Sequence, residues 1–386
     1  MNPLATHYSR FRVSERLLLT GHSHQAWPDV GFEAQQRAWL DAAEFVDDKW
    51  EKAEAQAGRV REGFARLLGD APDAIALGQN THELVTRWLS ALPLRTRPRL
   101  VTTDGVFHSL RRQVDRLEED GALSVVRVAA HPAATLAERL AVSVDDATAC
   151  VMVSSVLFET AEIVPHFDVV ADTCEHHGTA LLVDAYHHLN VVPFDVTAMG
   201  LSSAFVTGGG YKYCQLGEGN CFLRVPPRAH MRPVLTGWFA EFSALESSHA
   251  EHGVRYGPGA SAFGGATYDP TSHYRAAAAF DFHAAQGLTP ARLRAISRHQ
   301  VSRLKSLFEG LDVDPAVARV EPMDEGRRAG FLAVRAARAP DLSVALKARG
   351  VFTDARGDIL RLGPAPYLDD QQLGDAIVAL GELLRR

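Results

Sequence analysis

Short apolar runs alternate with helix-like periodicity through the middle of the chain. Six of these runs predict β-strands, at residues 75–77, 100–103, 124–128, 150–154, 180–183 and 204–207. Strands that alternate with helices are typical of βαβ units and of a largely parallel sheet. Ligands in such α/β folds bind outside the carboxyl ends of the strands, so we expect the functional residues directly after these runs.

The pattern changes after about residue 275. A helix is predicted to begin after Thr289, and a strand is expected over residues 331–335. A second helix is predicted over residues 342–349, and the spacing of apolar residues predicts a final amphipathic helix over residues 373–384. This part of the chain is therefore expected to form an α+β arrangement.

The length and composition are those of a globular protein. A chain of 386 residues with 46% hydrophobic residues can bury a large core, in two domains or in one large domain with an appendage. The net charge of -7 is spread over mixed signs and gives no basic stripe, so nucleic acid is not expected as a partner.

Targeting and redox signals are few. The first residues lack a basic region followed by an apolar run, and no apolar stretch approaches the length that spans a membrane. We therefore expect a cytoplasmic protein with no membrane partner. Four irregularly spaced cysteines, at positions 150, 174, 214 and 221, are expected to be reduced and mostly buried.

A carboxylate and a lysine follow two of the predicted strands. Asp184 comes directly after the run at residues 180–183, and Lys212 follows three glycines at residues 208–210. An enzyme that uses pyridoxal 5′-phosphate needs such a pair, because a lysine holds the aldehyde as a Schiff base and a carboxylate keeps the ring nitrogen protonated. Two structural alternatives remain: Lys212 as an exposed lysine at a strand end, and Asp184 as a cap.

Two other interpretations of this region are rejected. The three glycines have neither Walker-type nor dinucleotide-binding spacing, so they do not predict a phosphate loop. The cysteine and histidines between residues 174 and 188 lack the spacing of zinc ligands, so no metal site is predicted.

Three blocks of sequence resemble the class V aminotransferase group of fold-type I pyridoxal phosphate enzymes, and within it most closely the kynureninases. The first block is Asp184-Ala185-Tyr186-His187 with Tyr211-Lys212-Tyr213, which marks the broad group. More selective are residues 232–239, which contain Gly-Trp-Phe, and residues 353–356 with 359–366. Together with a weaker similarity at residues 21–23, the resemblance covers most of the chain.

The resemblance implies a fold and an assembly. It implies a fold-type I transferase fold, in which residues 46–275 form a large cofactor-binding domain with a mostly parallel, seven-stranded sheet. Residues 276–386 would form a small α+β domain that the N-terminal segment, residues 1–45, joins. The resemblance also implies a homodimer with its active site at the interface.

The same resemblance implies a set of cofactor contacts. Lys212 would form the Schiff base, Asp184 would pair with the pyridine nitrogen, and His187 would lie close to the cofactor. Phe107 would stack on the ring, and His108 is the substitute if the register is displaced by one residue. Core packing is the structural alternative for Phe107.

The cofactor phosphate is implied to lie at the start of a helix, where free N–H groups and the helix dipole favour an anion. Thr81 and His82 would contact the phosphate there. Tyr211 and Trp238 would add a hydroxyl and an indole N–H. The alternative is that Asn80 and Thr81 form only an ordinary helix cap.

Three residues are implied to bind an amino-acid substrate. Arg361 matches the arginine that binds the α-carboxylate, which a bidentate guanidinium recognises selectively. Asp269 stands where kynureninases have an asparagine that reads the distal ring, and Ser23 lies in the weaker N-terminal match. Arg356 matches a second arginine, with a solvated turn residue as its alternative.

The chain also departs from the kynureninase pattern. Leu110 stands where an acidic residue is usual, and Gly210 stands where many relatives have a hydroxyl or an imidazole. With Asp269, these departures predict that the preferred substrate differs from kynurenine.

The leading functional hypothesis is hydrolytic cleavage of the Cβ–Cγ bond of kynurenine or a related β-acyl alanine, with alanine as one product. Transamination, β-elimination and epimerisation of another amino acid are the alternatives on the same scaffold. Cysteine desulfuration is disfavoured because no cysteine follows Cys221. A non-catalytic protein that binds the cofactor is disfavoured by the retention of Lys212, Asp184 and Arg361.

Overall fold

The computed structural model describes residues 2–244 and 253–385. In this part of the chain, the β-strands are β1 (Leu17–Leu18), β2 (Ile75–Gly78), β3 (Arg99–Thr103), β4 (Ser124–Val128), β5 (Thr148–Ser154), β6 (Ala180–Asp184), β7 (Phe205–Gly209), β8 (Cys221–Arg224), β9 (Arg319–Val320), β10 (Leu332–Arg335), β11 (Val351–Phe352), β12 (Asp354–Arg356) and β13 (Ile359–Leu362). The α-helices are α1 (Val30–Phe45), α2 (Lys49–Leu68), α3 (Thr81–Ser90), α4 (His108–Glu119), α5 (Leu136–Val142), α6 (Phe167–His176), α7 (Thr271–Ala285), α8 (Pro290–Glu309), α9 (Ala339–Lys347) and α10 (Asp370–Leu384).

A seven-stranded sheet forms the centre of the molecule, with the strand order β2-β8-β7-β6-β5-β3-β4. The five strands from β7 to β4 run parallel, and β8 is antiparallel to both of its neighbours. The α/β fold with a mostly parallel sheet is therefore confirmed. All six predicted strands are present. The short run that forms β8 was not predicted, because three apolar residues followed by an arginine do not distinguish a strand from a buried loop.

The sheet is buried on both faces. All seven residues of β5 are buried, and alternate side chains enter two different hydrophobic cores. Val151 and Val153 belong to the first core, whereas Cys150 and Met152 belong to the second. Because both faces are covered, the strands read as continuous apolar runs rather than as alternating ones.

A third core brings the two ends of the chain together. The N-terminal residues Tyr8 and Leu19 pack there with residues of β10, β13 and the helices α8 to α10. The rings of Tyr8 and Tyr367 lie 4.8 Å apart, and β1 pairs with β11 in parallel. The domain boundaries at residues 45 and 275 stay a prediction, and α7 crosses the second of them.

Local signals explain the C-terminal elements. Thr289 caps α8 by accepting a hydrogen bond from the backbone N–H of Arg292, and Asp369 begins α10 with a capping box.

The four cysteines are free and buried. Within the described residues, no helix is long and apolar enough to cross a membrane, and no cluster of side chains could hold a metal ion.

Candidate active site

Two adjacent parallel strands place Asp184 and Lys212 together. Asp184 is the last residue of β6, and its register partner on β7 is Thr207. Lys212 follows three residues after the end of β7. Both side chains are buried, with 8% and 4% of their surface exposed, so the solvated strand-end lysine is not what the structure shows.

Aromatic rings surround the amine of Lys212. Its Nζ is 3.1 Å from Nε2 of His187, and 4.5 and 4.9 Å from the ring centroids of Tyr186 and Phe107. Burial lowers the pKa of Lys212 from 10.5 to about 7, although the charge of Asp184 opposes the shift. A substantial fraction of the amine is therefore neutral and nucleophilic near neutral pH.

Burial also shifts the pKa values of two neighbouring groups, His187 and Asp184. Burial, followed by the positive charge of Lys212, holds the pKa of His187 well below its usual value, so its imidazole is neutral. Asp184 Oδ1 accepts a hydrogen bond of 2.9 Å from the backbone N–H of Tyr186. Burial raises the pKa of Asp184, whereas this hydrogen bond and Lys212 lower it, so a cationic group bound opposite would favour the carboxylate further.

A cavity of about 280 Å³ opens at these strand ends. Six of the residues proposed from the sequence line it: Thr81, His82, Phe107, Asp184, Tyr211 and Lys212. It is also lined by residues that were not proposed as site residues: Gln79, Asn80, Ser109, Leu110, Tyr186, Thr207, Glu218, Gly219 and Cys221. Tyr186 could have been found, since it lies inside the motif that contains Asp184.

The first turn of α3 forms one wall of the cavity. Asn80 caps the helix, since its Oδ1 accepts a 2.9 Å hydrogen bond from the backbone N–H of Glu83. Thr81, the first residue of the helix, lines the cavity together with His82. Asn80 is thus a helix cap, and the same turn presents an anion-favouring helix terminus to the cavity.

Aromatic residues form another wall. Phe107 stands at the N-cap position of α4 and lines the cavity, whereas His108 is not among the lining residues. Burial raises the pKa of Tyr211 to about 12, so its phenol keeps its proton and can donate a hydrogen bond. Leu110 also lines the cavity and presents an apolar side chain there.

Arg361 lies on β13 beside the cavity, with 3% of its surface exposed. Its Nη1 donates a 2.6 Å hydrogen bond to the backbone carbonyl of Phe158, and its Nη2 donates to Asp354. Asp354 is its register partner on β12. Arg361 lowers the pKa of Lys212, so its charge acts on the same site.

One oxygen of Asp354 is shared by three basic side chains. Besides Arg361, Nη2 of Arg356 lies 3.6 Å and Nε2 of His22 lies 3.8 Å from Oδ2 of Asp354. Burial and the charge of Arg361 lower the pKa of His22 to about 3, so the imidazole is neutral. Sequence reasoning missed His22 and Asp354 as members of the site, although both lie in blocks that carried the resemblance.

Five of the proposed residues do not line the cavity of their own chain. His187 contacts the amine of Lys212, Arg361 lies on β13, and the other three bind elsewhere. Ser23 Oγ donates a hydrogen bond to the carbonyl of Thr20, within a local turn. Asp269 Oδ1 accepts from the backbone N–H of Thr271, at 2.9 Å. Trp238 is 45% exposed, and its indole N–H donates to Thr267 at 3.2 Å. A single chain therefore forms the cofactor end of the site more completely than the distal end.

The Gly210 departure has a packing reason. A Cβ atom at this position would lie 2.6 Å from Cβ of Leu216. Since real Cβ contacts are essentially never this short, the turn around Lys212 requires glycine there.

The sequence is similar to aminotransferases and kynureninases. A family model, the kynureninase C-terminal domain, matches residues 293–380. An uncharacterized aminotransferase, YcbU of Bacillus subtilis, is 24% identical over 88% of this chain and 87% of its own length. A kynureninase of Bacillus thuringiensis is 23% identical over 89% of this chain and 82% of its own length.

These similarities support a kynureninase-like, class V pyridoxal phosphate enzyme.

Solved structures support the fold of this kynureninase-like enzyme. A variant of C-DES with glycine covalently linked to its pyridoxal phosphate cofactor superposes with a TM-score of 0.84, at 15% identity, over 98% of this chain and 99% of that chain. A cysteine desulfurase of Thermococcus onnurineus gives a TM-score of 0.83, also at 15% identity, over 100% and 98% of the two chains. At such low identity these likenesses concern the fold alone.

The residues present in the kynureninase-like enzyme fit pyridoxal 5′-phosphate. The cavity combines a buried, partly neutral lysine, a buried carboxylate on the neighbouring strand and a helix N-terminus. These groups match the aldehyde, the ring nitrogen and the phosphate of the cofactor in chemical type.

Proposed function

We propose that this enzyme hydrolyses the Cβ–Cγ bond of a β-acyl alanine, such as kynurenine, and releases alanine. One observation carries the proposal: Lys212 and Asp184 share a cavity whose neighbouring arginine, Arg361, lies inside the segment that matches the kynureninase C-terminal domain. The kynureninases among the relatives add support, since they match over 82% or more of their own length.

Each group at the cofactor end has a role in this proposal. When it is bound, pyridoxal 5′-phosphate supplies an aldehyde and a ring that accepts electrons. Lys212 would hold the aldehyde through its Nζ, and the carboxylate of Asp184 would accept a hydrogen bond from the ring nitrogen. Thr81 and the first N–H groups of α3 would bind the phosphate, and Phe107 would pack against the ring.

Lys212 would have a second role when substrate is bound. Its amine, with a pKa of about 7 in the cofactor-free cavity, would accept the proton from Cα of the substrate. The neutral Nε2 of His187, 3.1 Å away, accepts a hydrogen bond from this amine and orients it.

Arg361 binds the substrate carboxylate in this proposal. Two of its five N–H donors bind Phe158 and Asp354, and its buried Nε has no partner within the described residues. Donors therefore remain for a carboxylate, and the pairing with Asp354 holds the guanidinium in one orientation.

The complete site is proposed to need a second copy of the chain. Val234, Leu235, Trp238 and Phe242 are large apolar residues with between 45% and 79% of their surface exposed. A patch of this kind marks an interface. Because Trp238 and Asp269 do not reach their own cavity, we propose a homodimer in which this region approaches the site of the partner.

The test is the reaction with L-kynurenine. The protein loaded with pyridoxal 5′-phosphate is mixed with L-kynurenine, and anthranilate fluorescence and alanine are measured. The matched controls are Lys212→Ala and Lys305→Ala. The first removes the amine of the site, and the second removes a lysine of α8 that pairs with Glu325. We expect equal amounts of anthranilate and alanine from the wild type and from Lys305→Ala, and none from Lys212→Ala.

The outcome also separates the alternatives on this scaffold. A keto acid in place of alanine would favour transamination, which the similarity to an uncharacterized aminotransferase motivates. If kynurenine does not react while other amino acids change the cofactor spectrum, the result supports the assigned cofactor and refutes the assigned substrate.

A further inference from the structure

A chain of buried hydrogen bonds holds the backbone around Lys212. Three consecutive carbonyl groups, those of residues 211, 212 and 213, each accept a hydrogen bond. The donors are the backbone N–H of Gln25 at 3.3 Å, the backbone N–H of Gln215 at 3.1 Å and the side-chain amide of Asn190 at 3.1 Å. These three hydrogen bonds hold the backbone on both sides of Lys212.

The two glutamines are joined to each other. Nε2 of Gln215 donates a 2.7 Å hydrogen bond to Oε1 of Gln25. The contacts therefore form a closed ring: Gln25 binds the carbonyl before Lys212, Gln215 binds the carbonyl of Lys212 itself, and the two side chains bind each other. Gln25 and Gln215 are 4% and 1% exposed, so water does not compete for these bonds.

Gln215 has an unfavourable backbone conformation that its side chain compensates. Its φ is +59°, a left-handed value that costs free energy for any residue other than glycine. Its Oε1 accepts a 2.6 Å hydrogen bond from the hydroxyl of Tyr8 and a 3.0 Å hydrogen bond from Nε2 of His283. Every polar atom of the Gln215 side chain thus has a defined partner.

The two donors keep the protonation states that this network requires. Burial raises the pKa of Tyr8, so the phenol retains the proton that it donates. Burial lowers the pKa of His283 to about 4, so the ring is neutral and carries one N–H. Because Oε1 of Gln215 is an acceptor, that N–H is on Nε2.

The network joins distant parts of the chain to the lysine. Tyr8 and Gln25 come from the N-terminal segment, and His283 comes from α7. None of these three residues lines the cavity. Resting on the proposed role of Lys212 in the proposed function, we propose that the Gln25–Gln215 pair is a positioning element for Lys212. Tyr8 and His283 hold Gln215 in its left-handed conformation, and the N-terminal segment thereby sets the geometry of the reactive amine.

The test measures how fast Lys212 bonds to the cofactor, not only turnover. Cofactor-free protein is mixed with pyridoxal 5′-phosphate in a stopped-flow instrument, and the absorbance change of lysine bond formation gives a rate constant. Gln215→Leu is expected to slow this rate about tenfold or more, since a displacement of about 1 Å can cost 10²-fold in rate. The value of kcat should fall while KM changes little.

Two further variants keep the result independent of folding. Gln215→Glu retains the acceptors for Tyr8 and His283 but replaces the donor to Oε1 of Gln25 with an acceptor, so its rate should stay below that of the wild type. Tyr8→Phe removes one donor to Gln215, and Tyr274→Phe is its matched control, because it removes a buried hydroxyl that donates to Asp41 at 3.0 Å and does not contact this network. Tyr8→Phe should slow the reaction about twofold to tenfold, whereas Tyr274→Phe should not.

Equal rates for Tyr8→Phe and Tyr274→Phe would overturn the proposal, and so would a wild-type rate for a folded Gln215→Leu variant. If Gln215→Leu does not fold, the two tyrosine variants decide. A wild type that bonds to the cofactor but does not cleave kynurenine would refute the proposed function. The positioning role of the Gln25–Gln215 pair would then still be decided by the rates of lysine bond formation in the variants. A wild type that forms no lysine bond would overturn both.

Discussion

At the scale of single residues, burial decides the chemistry of the site. Lys212, His187 and His22 all lie in surroundings that disfavour a positive charge, and their pKa values are lowered accordingly. Arg361 and Arg356 are the neighbouring cations, and both pair with Asp354. The site therefore combines a partly neutral amine with two arginines that share one carboxylate.

The low pKa of Lys212 predicts a dependence of stability on pH. Below pH 7 the amine is protonated in both the folded and the unfolded cofactor-free protein. Between about 7 and 10.5 the unfolded chain binds a proton that the folded protein does not, so the free energy of unfolding rises with pH. Lys212→Met removes this contribution of Lys212 to the pH dependence of the free energy of unfolding. We expect urea titrations to find the variant more stable than the wild type at pH 7, with the difference shrinking toward pH 10.5.

A constant difference in the free energy of unfolding across this pH range would contradict the lowered pKa. The comparison between the two proteins cancels the other groups that titrate there, such as the buried thiols. The effect belongs to the cofactor-free protein, because a bound cofactor consumes the amine.

Asp354 is predicted to act through the substrate carboxylate. Asp354→Asn keeps the shape of the side chain but removes the charge that orients Arg361, and a charge-assisted hydrogen bond contributes about 1.5–3 kcal/mol. We expect KM for the amino acid to rise about tenfold while kcat changes less. Asp358→Asn is the control. Asp358 lies in the turn between β12 and β13, where it pairs with Arg335 of β10 at an exposed site. Unchanged KM in Asp354→Asn would refute the positioning role.

At the scale of elements, the first turn of α3 combines a structural and a functional role. Asn80 satisfies the backbone of the helix, and Thr81 presents its side chain to the cavity. The sequence alone left these two interpretations as alternatives. In the structure Asn80 caps the helix, and phosphate binding by Thr81 stays a prediction.

This division predicts different phenotypes for neighbouring substitutions. Asn80→Ala removes the cap and should lower the free energy of unfolding by about 0.5–2 kcal/mol. Thr81→Val retains the cap and should instead raise the Kd for pyridoxal 5′-phosphate, with little change in thermal unfolding of the cofactor-free protein. Fluorescence titration and calorimetry measure the two quantities. If Thr81→Val binds the cofactor as the wild type does, the phosphate lies elsewhere.

Elements also show what the sequence could predict. The strands that deliver Asp184 and Lys212 are apolar runs whose ends are visible in the sequence, so the cofactor end of the site was predictable. The pairing of Asp354 with Arg361 depends on the register between β12 and β13, which short runs do not define. The contact of Gln215 with Tyr8 joins residues 207 positions apart, and no local pattern indicates it.

At the scale of the whole molecule, two residues proposed for the site, Trp238 and Asp269, lie outside the cavity of the single chain. Trp238 lies beside exposed apolar residues, and Asp269 is engaged in its own turn. The resemblance attributed cofactor and substrate contacts to these two residues, and the cavity of one chain contains neither. A partner that supplies them would account for both observations.

A pair of matched substitutions tests this assembly. Val234→Asp places a charge in the exposed apolar patch, and Val344→Asp places one on α9, at a similarly exposed valine. Light scattering should find the wild type and Val344→Asp at twice the mass of one chain. Val234→Asp should shift toward the monomer and lose activity. A monomeric wild type with full activity would contradict the proposed interface.

The most direct test of the central claim is the site of covalent attachment. The wild-type protein is incubated with pyridoxal 5′-phosphate, reduced with borohydride and digested, and the labelled peptide is identified by mass spectrometry. The chain has four other lysines, at positions 49, 52, 305 and 347, and none of them is buried. The account predicts one label, on Lys212. A label on another lysine, or no stoichiometric label, would contradict it.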